Sequence, residues 1–403
     1  MCASACSSCR ASSGEILSFG LSFGDTVRPR PSISVTLSAL SAFAVILACS
    51  NDVTSASGVQ MQSKTPSVTP TLTPQQSGTT ERFFSVSPVN DQVVWASAAG
   101  GTYALTTDGG DTWRAGVVPG AETLQFRDVE GISATEAYLL SAGEGSNNRI
   151  YKTEDGGRSW QLQFQADSDP RFFYDCFDFW TPNRGITFGD AVDGRFPVIK
   201  TTDGETWQSI ANQLPGPQAG EAGFAASGTC IATQGGQRAW IGTGGGVEAR
   251  ILATTDGGNS WTSHQVPIFQ GAPTAGVVSV DFRDPFRGIL GGGDVLASDV
   301  AQNNVARSTD GGQTWTLVTP TPFKGAVYGL SYVPGQRLTV VATGPSGAAW
   351  SADEGDTWSL LPGLTNYWAV GFASADAGWL VGGNGAILKL DFSRPSPNQA
   401  YKP

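Results

Sequence analysis

Short runs of apolar and β-branched residues, each ended by glycine, proline, asparagine or aspartate, recur through most of the chain. Such runs predict β-strands joined by tight turns. Each unit of the pattern begins with an inner strand, continues with a second strand that starts Gly-Ile or Gly-Trp in three units, and ends with a third strand that leads into a polar turn. The predicted inner strands are residues 126–132, 173–180, 224–232, 277–282, 327–333 and 368–373.

The polar turns form a repeat. The first copy reads Thr-Thr-Asp-Gly-Gly-Asp-Thr-Trp at residues 106–113, and five more copies follow, one of them a residue shorter, with 43 to 54 residues between successive tryptophans. A period of this length with a strand on either side of a turn is typical of propeller blades. The shared positions are Asp108 and Trp113, Asp155 and Trp160, Asp203 and Trp207, Asp256 and Trp261, Asp310 and Trp315, and Asp353 and Trp358.

A seventh unit at residues 376–389 lacks the polar turn and the outer strand. A strand from the amino-terminal segment, expected near residues 67–73, would complete this unit and remove the free edges of the ring. The sequence therefore predicts an all-β fold, a seven-bladed β-propeller whose last blade is closed by an N-terminal strand.

The residue types of the repeat suit a structural turn. Aspartate accepts hydrogen bonds from the backbone N–H groups of the turn, glycine provides positive φ, and tryptophan fills the space between neighbouring sheets. Each copy offers one or two carboxylates, whereas a calcium loop needs several oxygen ligands. We therefore expect no metal at these turns.

The turn resembles the Asp-box of the BNR repeat. Together with Gly-Trp-Leu-Val-Gly-Gly-Asn-Gly-Ala-Ile-Leu-Lys at 378–389, it makes residues 83–392 resemble the photosystem II stability/assembly factor family and its non-photosynthetic bacterial relatives. That resemblance implies an exported propeller that binds an assembling membrane protein, partly through a basic surface patch. This chain departs from the pattern, because it is acidic and its sequence has no arginine-rich cluster.

Asp-boxes also occur in sialidases and other glycosidases. A sialidase would need an arginine triad, a Tyr/Glu nucleophile pair and an early F/Y-R-I-P motif. The most similar string is Arg195-Phe196-Pro197, which stands just before the third box. A carbohydrate-active glycoside hydrolase is thus the alternative to a binding module.

The amino terminus predicts export. An apolar run at residues 33–48 follows two arginines, has the length of a signal h-region, and ends in Ile-Leu-Ala before Cys49. This resembles a bacterial lipobox, with Cys49 as the lipidated residue; ordinary signal cleavage nearby is the alternative. Translation is expected to begin near Val27. We divide the chain into a signal segment at 1–49, a Ser/Thr/Pro-rich tether at 50–80, the propeller at 81–393 and a tail at 394–403.

Charge and composition exclude several classes of protein function. The chain has 24 Lys and Arg against 35 Asp and Glu, a net charge of −11, so it has no bulk positive field for nucleic acid. With one histidine, His264, a two-histidine metal motif is impossible, and no Gly-Lys pair exists for a Walker A loop. We expect no cofactor. Adaptation to high salt is another explanation of the acidity, and it would imply nothing about ligands.

Functional residues are expected on the face that carries the long loops. In a four-stranded meander, the loops between the second and third strands and the connections between blades share one face, and the boxes lie on the other. Carboxylates on the loop face suit a hydrolase acid and base, a cation site, or simple turn stabilisation. The candidates are Asp175, Asp190, Asp193, Arg195, Glu221, Arg171 and Arg250.

Cys176 and Cys230 lie on predicted inner strands of adjacent units. After export they form either a disulfide or two buried free thiols. The sequence as a whole predicts an exported, lipid-anchored, monomeric and non-catalytic binding or assembly module. Its expected partner is an extracytoplasmic protein or a glycan.

Overall fold

The structure is a computed structural model that describes residues 69–393. It confirms the predicted seven-bladed β-propeller: seven four-stranded antiparallel sheets stand in a ring, each a simple meander from an inner strand to an outer strand. Three short 3₁₀ turns, Gly145–Asn147, Ala211–Gln213 and Gly383–Gly385, are the helical elements of this part of the chain. Among these residues no helix is long and apolar enough to cross a membrane.

The strands of each blade follow one another from the channel to the rim. Blade 1 holds β2 (Phe83–Pro88), β3 (Val94–Ala98), β4 (Thr102–Thr106) and β5 (Arg114–Val117); blade 2 holds β6 (Phe126–Gly131), β7 (Ala137–Ser141), β8 (Arg149–Thr153) and β9 (Gln161–Gln165). Blade 3 holds β10 (Tyr174–Thr181), β11 (Arg184–Gly189), β12 (Val198–Thr201) and β13 (Gln208–Ser209); blade 4 holds β14 (Ile231–Gln234), β15 (Arg238–Thr243), β16 (Arg250–Thr254) and β17 (Thr262–Gln265).

Blade 5 holds β18 (Ala275–Phe282), β19 (Gly288–Asp294), β20 (Val305–Ser308) and β21 (Thr316–Leu317); blade 6 holds β22 (Gly329–Tyr332), β23 (Val340–Gly344), β24 (Gly347–Ser351) and β25 (Ser359–Leu360). Blade 7 holds β26 (Tyr367–Ser374), β27 (Ala377–Gly382), β28 (Ala386–Asp391) and, as its outer strand, β1 (Thr71–Gln76).

The ring is closed by β1, as the sequence predicted. All six residues of β1 pair antiparallel with β28, from Thr71 opposite Asp391 to Gln76 opposite Ala386. The strand lies within the segment 50–80 that the sequence analysis assigned to a tether, and it starts later than the expected residues 67–73. Pro74 is tolerated because β1 is an edge strand.

The Asp-boxes are turns closed by their own side chains. In the first box, one carboxylate oxygen of Asp108 accepts the Thr112 N–H at 2.9 Å, and the other accepts the Thr112 hydroxyl at 2.6 Å. The Thr106 hydroxyl accepts the Gly110 N–H at 2.9 Å, and Gly110 has a φ of +90°. The aspartates of the other boxes make the same bonds: Asp155, Asp203, Asp256, Asp310 and Asp353.

Each box tryptophan packs between its own blade and the preceding one. Trp315, for example, meets Phe282 edge to face at 5.8 Å, and Phe282 in turn stacks on Trp240 of blade 4 at 3.5 Å. Such large, close-packed aromatic contacts provide much of the free energy that holds neighbouring sheets together. The equivalent side chains are Trp113, Trp160, Trp207, Trp261 and Trp358.

Three inner-strand aspartates join neighbouring blades along the central axis. Each accepts the N–H of the next residue of its own strand with one oxygen and an N–H of the following blade with the other. Asp128 reaches Phe177, Asp178 reaches Thr233, and Asp281 reaches Tyr332, at 2.6 to 2.9 Å. These contacts tie blade 2 to 3, blade 3 to 4 and blade 5 to 6.

The two groups of aspartates predict opposite responses of stability to pH. Burial raises the pKa of Asp178 to about 7, so its folded form binds a proton that the unfolded form releases near pH 4. This favours unfolding as the pH rises from 4 through 7. Hydrogen bonds from Thr112 lower the pKa of Asp108 to about 2, and the stabilisation from that carboxylate is lost as the pH falls from 4 to 2.

We therefore expect the free energy of unfolding to be largest near pH 4 to 5 and smaller on both sides, as measured by urea denaturation across pH. In the Asp178→Asn variant, the free energy of unfolding should decline less between pH 5 and 8 than in the native protein, whatever the absolute stability of the variant. An unchanged slope in this variant would contradict the assignment to Asp178.

Candidate functional site

The predicted site residues lie on the expected face. The loops between second and third strands and the connections between blades meet at one end of the axis, and the boxes lie at the other. We call the first end the loop face. Among residues 69–393, no group of three or more His, Cys, Asp or Glu side chains is arranged to hold a metal ion.

Glu221 and Arg250 form a buried ion pair. The Glu221 side chain is 0% exposed, and its oxygens accept bonds from the Arg250 guanidinium, the Thr243 hydroxyl at 2.6 Å and the Gln218 N–H at 2.7 Å. With these donors in place, the carboxylate has little capacity left for a ligand. The pair holds the connection between blades 3 and 4 against β15 and β16.

Arg171 forms an exposed ion-pair network with two aspartates of the loop face. Its guanidinium donates to Asp169 at 2.6 Å and to Asp193 at 2.6 Å. Asp193 stands in a tight turn in which the N–H and C=O groups of Val192 and Arg195 bond to each other. These charges are solvated and already paired, as the turn-stabilising alternative predicted.

Asp175 and Asp190 are two buried carboxyl groups that interact with each other. Asp175 is 2% exposed, and burial followed by the neighbouring Asp190 raises its pKa well above the usual range. Burial also raises the pKa of Asp190 to about 6, while its bonds with the Gly223 N–H and the Asp175 side chain lower that pKa. Burial and the neighbouring carboxyl group therefore both favour the protonated form of Asp175.

This pair differs from a glycosidase acid and base. The acid and the base of a glycosidase must both reach the sugar, whereas the Asp175 side chain is buried, with 2% of its surface exposed. Asp175 also interacts electrostatically with Arg127 of β6.

The two cysteines are joined. Cys176 of β10 and Cys230 form a disulfide, with their Cα atoms 6.1 Å apart. Of the two alternatives that the sequence left open, the structure contains the bridge, and it links blade 3 to the residue immediately before β14.

The prediction that residues 224–232 form one inner strand is wrong for most of that range. The strand begins only at Ile231, and the preceding residues cross the central channel. We call Phe224–Thr229 the plug. Its Ser227 hydroxyl donates to the Tyr328 carbonyl of blade 6 at 2.5 Å, its Thr229 hydroxyl donates to Ser279 of blade 5 at 2.8 Å, and its Ala225 carbonyl accepts from Arg127 of blade 2 at 2.9 Å.

Glycine explains why the plug fits. Gly228 has a φ of +72°, and a Cβ at this position would lie 2.1 Å from the Asp128 carboxylate and 2.5 Å from the Ser85 hydroxyl. The backbone thus passes directly over the inner strands of blades 1 and 2. The strand pattern could not show this, because these contacts join residues about a hundred positions apart.

Five inner strands carry a β-bulge near the start, at the loop face. A bulge places one extra residue outside the ladder and re-aims its side chain. The bulged residues are Phe84, Arg127, Asp175, Val278 and Trp368. The bulges therefore bring side chains from several blades to the mouth of the central channel.

Two arginines and three aromatic rings pack together at this mouth. The Arg127 guanidinium carbon lies 4.1 Å from the Phe84 ring centroid, and that of Arg82 lies 4.9 Å from the Trp368 ring. Trp368 meets Phe84 at 5.5 Å and Tyr328 at 5.1 Å, both edge to face. We call these five residues the arginine–aromatic cluster.

The two arginines of the cluster are close enough to repel each other. Within residues 69–393 neither Arg82 nor Arg127 belongs to an ion pair. Burial, followed by the positive charge of Arg82, lowers the pKa of Arg127 to about 10. A bound anion would relieve this repulsion, and guanidinium groups stacked on aromatic rings are well suited to bind carboxylates.

Sequence reasoning missed this cluster because it looked for arginines that are neighbours in the chain. Arg82 and Arg127 are far apart in sequence, and ring closure is what brings Trp368 of blade 7 beside blade 1. An alignment of the repeat units at the start of their inner strands could have indicated the cluster. In that alignment Phe84, Arg127 and Trp368 occupy equivalent positions.

Comparison with known proteins supports a propeller of the BNR type. The BNR/Asp-box repeat family matches residues 306–317, which span the fifth box and its flanking strands. No curated protein sequence matches the chain.

Several solved structures share the fold. YCF48 bound to D1 peptide aligns with a TM-score of 0.55 and 16% identity, over 79% of this chain and 96% of that one. YCF48 from Cyanidioschyzon merolae aligns at 0.55 and 15%, over 79% and 98%. The GH74 xyloglucanase from Xanthomonas campestris aligns at 0.55 and 13%, over 82% of this chain but only 55% of that one. At these identities the likeness shows the fold alone.

Proposed function

We propose that this protein is a non-catalytic propeller that binds a carboxylate-bearing segment of a partner protein at the mouth of its channel. The observation that carries this proposal is the arginine–aromatic cluster. Two guanidinium groups without an ion-pair partner in the described part of the chain stand on aromatic rings, at the end of the axis where the long loops meet. Charge-assisted bonds to such groups are among the stronger polar contacts in proteins.

The comparisons support a peptide ligand rather than a free anion. YCF48, which has a similar propeller, is known bound to a D1 peptide. The mouth of the present channel offers aromatic surface as well as charge, and a peptide uses both. The plug closes the channel beneath the cluster, so a bound segment would rest on the mouth and not thread through the ring.

We further propose that the domain works outside the cytoplasm, tethered through Cys49. The support is the apolar run at 33–48 and its Ile-Leu-Ala-Cys ending; these residues lie outside the described part of the chain. Mass spectrometry of the mature protein tests this, because a lipid-modified amino-terminal Cys49 is required. An unmodified terminus elsewhere would disprove the anchor.

Binding should depend on Arg82. We expect Arg82→Ala to weaken the binding of short acidic peptides by about 10-fold or more, since a hydrogen bond to a charged group contributes about 1.5–3 kcal/mol. The measurement is isothermal titration or NMR titration with a panel of synthetic peptides rich in Asp and Glu. Arg82 is exposed and makes no ion pair within residues 69–393, so its removal should leave the fold intact.

Arg171→Ala is the matched control. Arg171 is also an exposed arginine of the loop face, but Asp169 and Asp193 already neutralise it. Its removal should change affinity by less than about twofold, within the small effect of exposed ion pairs. Equal loss in both variants, or none in Arg82→Ala and Arg127→Ala, would refute the proposed site.

A further inference from the structure

A cavity of about 360 Å³ opens on the loop face between blades 5 and 6. Its wall is mostly apolar, formed by Val295, Ala326 and Pro345 with the ring of Tyr328. Its polar lining residues are Ser298, Ser346 and Asp294, and the Asp294 carboxylate already accepts bonds from the Thr274 hydroxyl and the Leu296 N–H. A concave apolar site with a few polar groups at its rim is typical of ligand pockets.

The cavity adjoins the arginine–aromatic cluster through a shared side chain. Tyr328 lines the cavity and belongs to the cluster, where its ring lies 5.1 Å from that of Trp368. Its hydroxyl donates to the Val295 carbonyl at 3.1 Å, which fixes the ring between the two sites. The cavity and the cluster therefore lie next to each other.

The loop beside the cavity exposes apolar side chains. Leu296 is 79% exposed and Val300 is 36% exposed, and both belong to the connection between β19 and β20. Large aliphatic side chains so exposed, next to an apolar cavity, mark a surface that gains free energy when a partner covers it. The surface is thus cationic and aromatic on one side and aliphatic on the other.

We propose that this cavity takes one large aliphatic side chain of the same bound segment, two to three residues from the carboxylate held by the arginines. Arg82 lies 4.9 Å from the Trp368 ring and Tyr328 lies 5.1 Å from it. The Tyr328 ring is thus at most about 10 Å from the Arg82 guanidinium carbon, and two to three residues of extended peptide, at about 3.3 Å each, span separations up to that limit. This inference rests on the proposed function and adds a preference for the sequence of the bound peptide.

A leucine scan tests the inference. The probes are acetylated Gly/Ser hexapeptides with a free carboxyl terminus and one leucine placed at each position in turn, titrated by NMR. We expect affinity to rise about 10-fold when leucine stands two or three residues before the carboxylate, because burial of a leucine side chain contributes about 1.5–3 kcal/mol. A second set with an amidated terminus and one internal Asp shows whether the carboxylate is a chain end or a side chain.

Ser298→Phe should fill the cavity from its exposed rim. This variant is expected to abolish the leucine preference and to keep the affinity for the leucine-free peptide. Ser168→Phe, at an exposed serine of the same face beside blades 2 and 3, is the control and should keep the preference. A preference that survives Ser298→Phe, or no preference in the native protein, would overturn the inference.

The failures of the two proposals are distinguishable. If peptides bind through Arg82 but leucine position has no effect, the cavity proposal is wrong and the binding site stands. If no carboxylate peptide binds, or binding ignores Arg82 and Arg127, the proposed function fails and this inference fails with it.

Discussion

Replacement of Gln75 by alanine is expected to lower the free energy of unfolding by about 2–4 kcal/mol. The Gln75 side-chain oxygen accepts both the Trp113 indole N–H at 2.9 Å and the Trp379 indole N–H at 3.1 Å. Trp113 is the box tryptophan of blade 1, and Trp379 is a fully buried residue of blade 7. Each indole N–H left without an acceptor in the core is destabilising by about 1–3 kcal/mol.

The neighbouring Gln76 is the matched control. It lies on the same strand and is exposed, so Gln76→Ala should change stability by less than about 0.5 kcal/mol. Urea denaturation followed by tryptophan fluorescence measures both variants. Similar stabilities for the two variants would show that Gln75 does not join the ends of the ring.

Substitution of Gly228 by alanine is expected to cost about 2–4 kcal/mol. Positive φ disfavours alanine by about 1 kcal/mol, and the Cβ, 2.1 Å from the Asp128 oxygen, adds the strain of overpacking, about 1–3 kcal/mol. The displaced plug would also lose the Ala225 contact with Arg127. Peptide affinity at the cluster should therefore fall together with stability.

Gly120→Ala separates the backbone penalty of positive φ from the steric clash of the added Cβ. Gly120 has a φ of +78°, close to that of Gly228, and a Cβ there would meet nothing within 4 Å. This variant should show only the backbone penalty, about 1 kcal/mol. If thermal unfolding gives equal losses for the two variants, close approach of the plug to blade 2 is not the cause of the Gly228 effect.

The sequence predicted the fold well because its repeat is local. Asp108, Gly110 and Thr112 close a turn with bonds that span a few residues, so the motif itself specifies the structure. The spacing of Trp113, Trp160 and their equivalents then gives six blades, and the unit at 376–389 without a box adds the seventh. The missing outer strand of the last unit indicated closure by the amino-terminal segment, and β1 pairs there.

The candidate site was predicted less completely, because its residues meet across the ring. Reasoning from loop position found the face and named Glu221, Arg250, Asp175 and Asp190 as single candidates, without their pairing. It could not assign them, since burial and partners decide whether a carboxylate is free. Glu221 accepts bonds from Thr243 and Arg250, and burial raises the pKa of Asp175.

By itself, the sequence determined the all-β class, the seven units, the turns that join them and the face on which the loops meet, because each depends on residues close in the chain. Only the tertiary structure decided that Phe224–Thr229 crosses the channel and that Arg82, Arg127 and Trp368 share its mouth. The physical reason is that ring closure brings distant inner strands to one axis. At this axis, contacts between blades decide the path of the backbone and which charged side chains lie together. The local strand pattern does not.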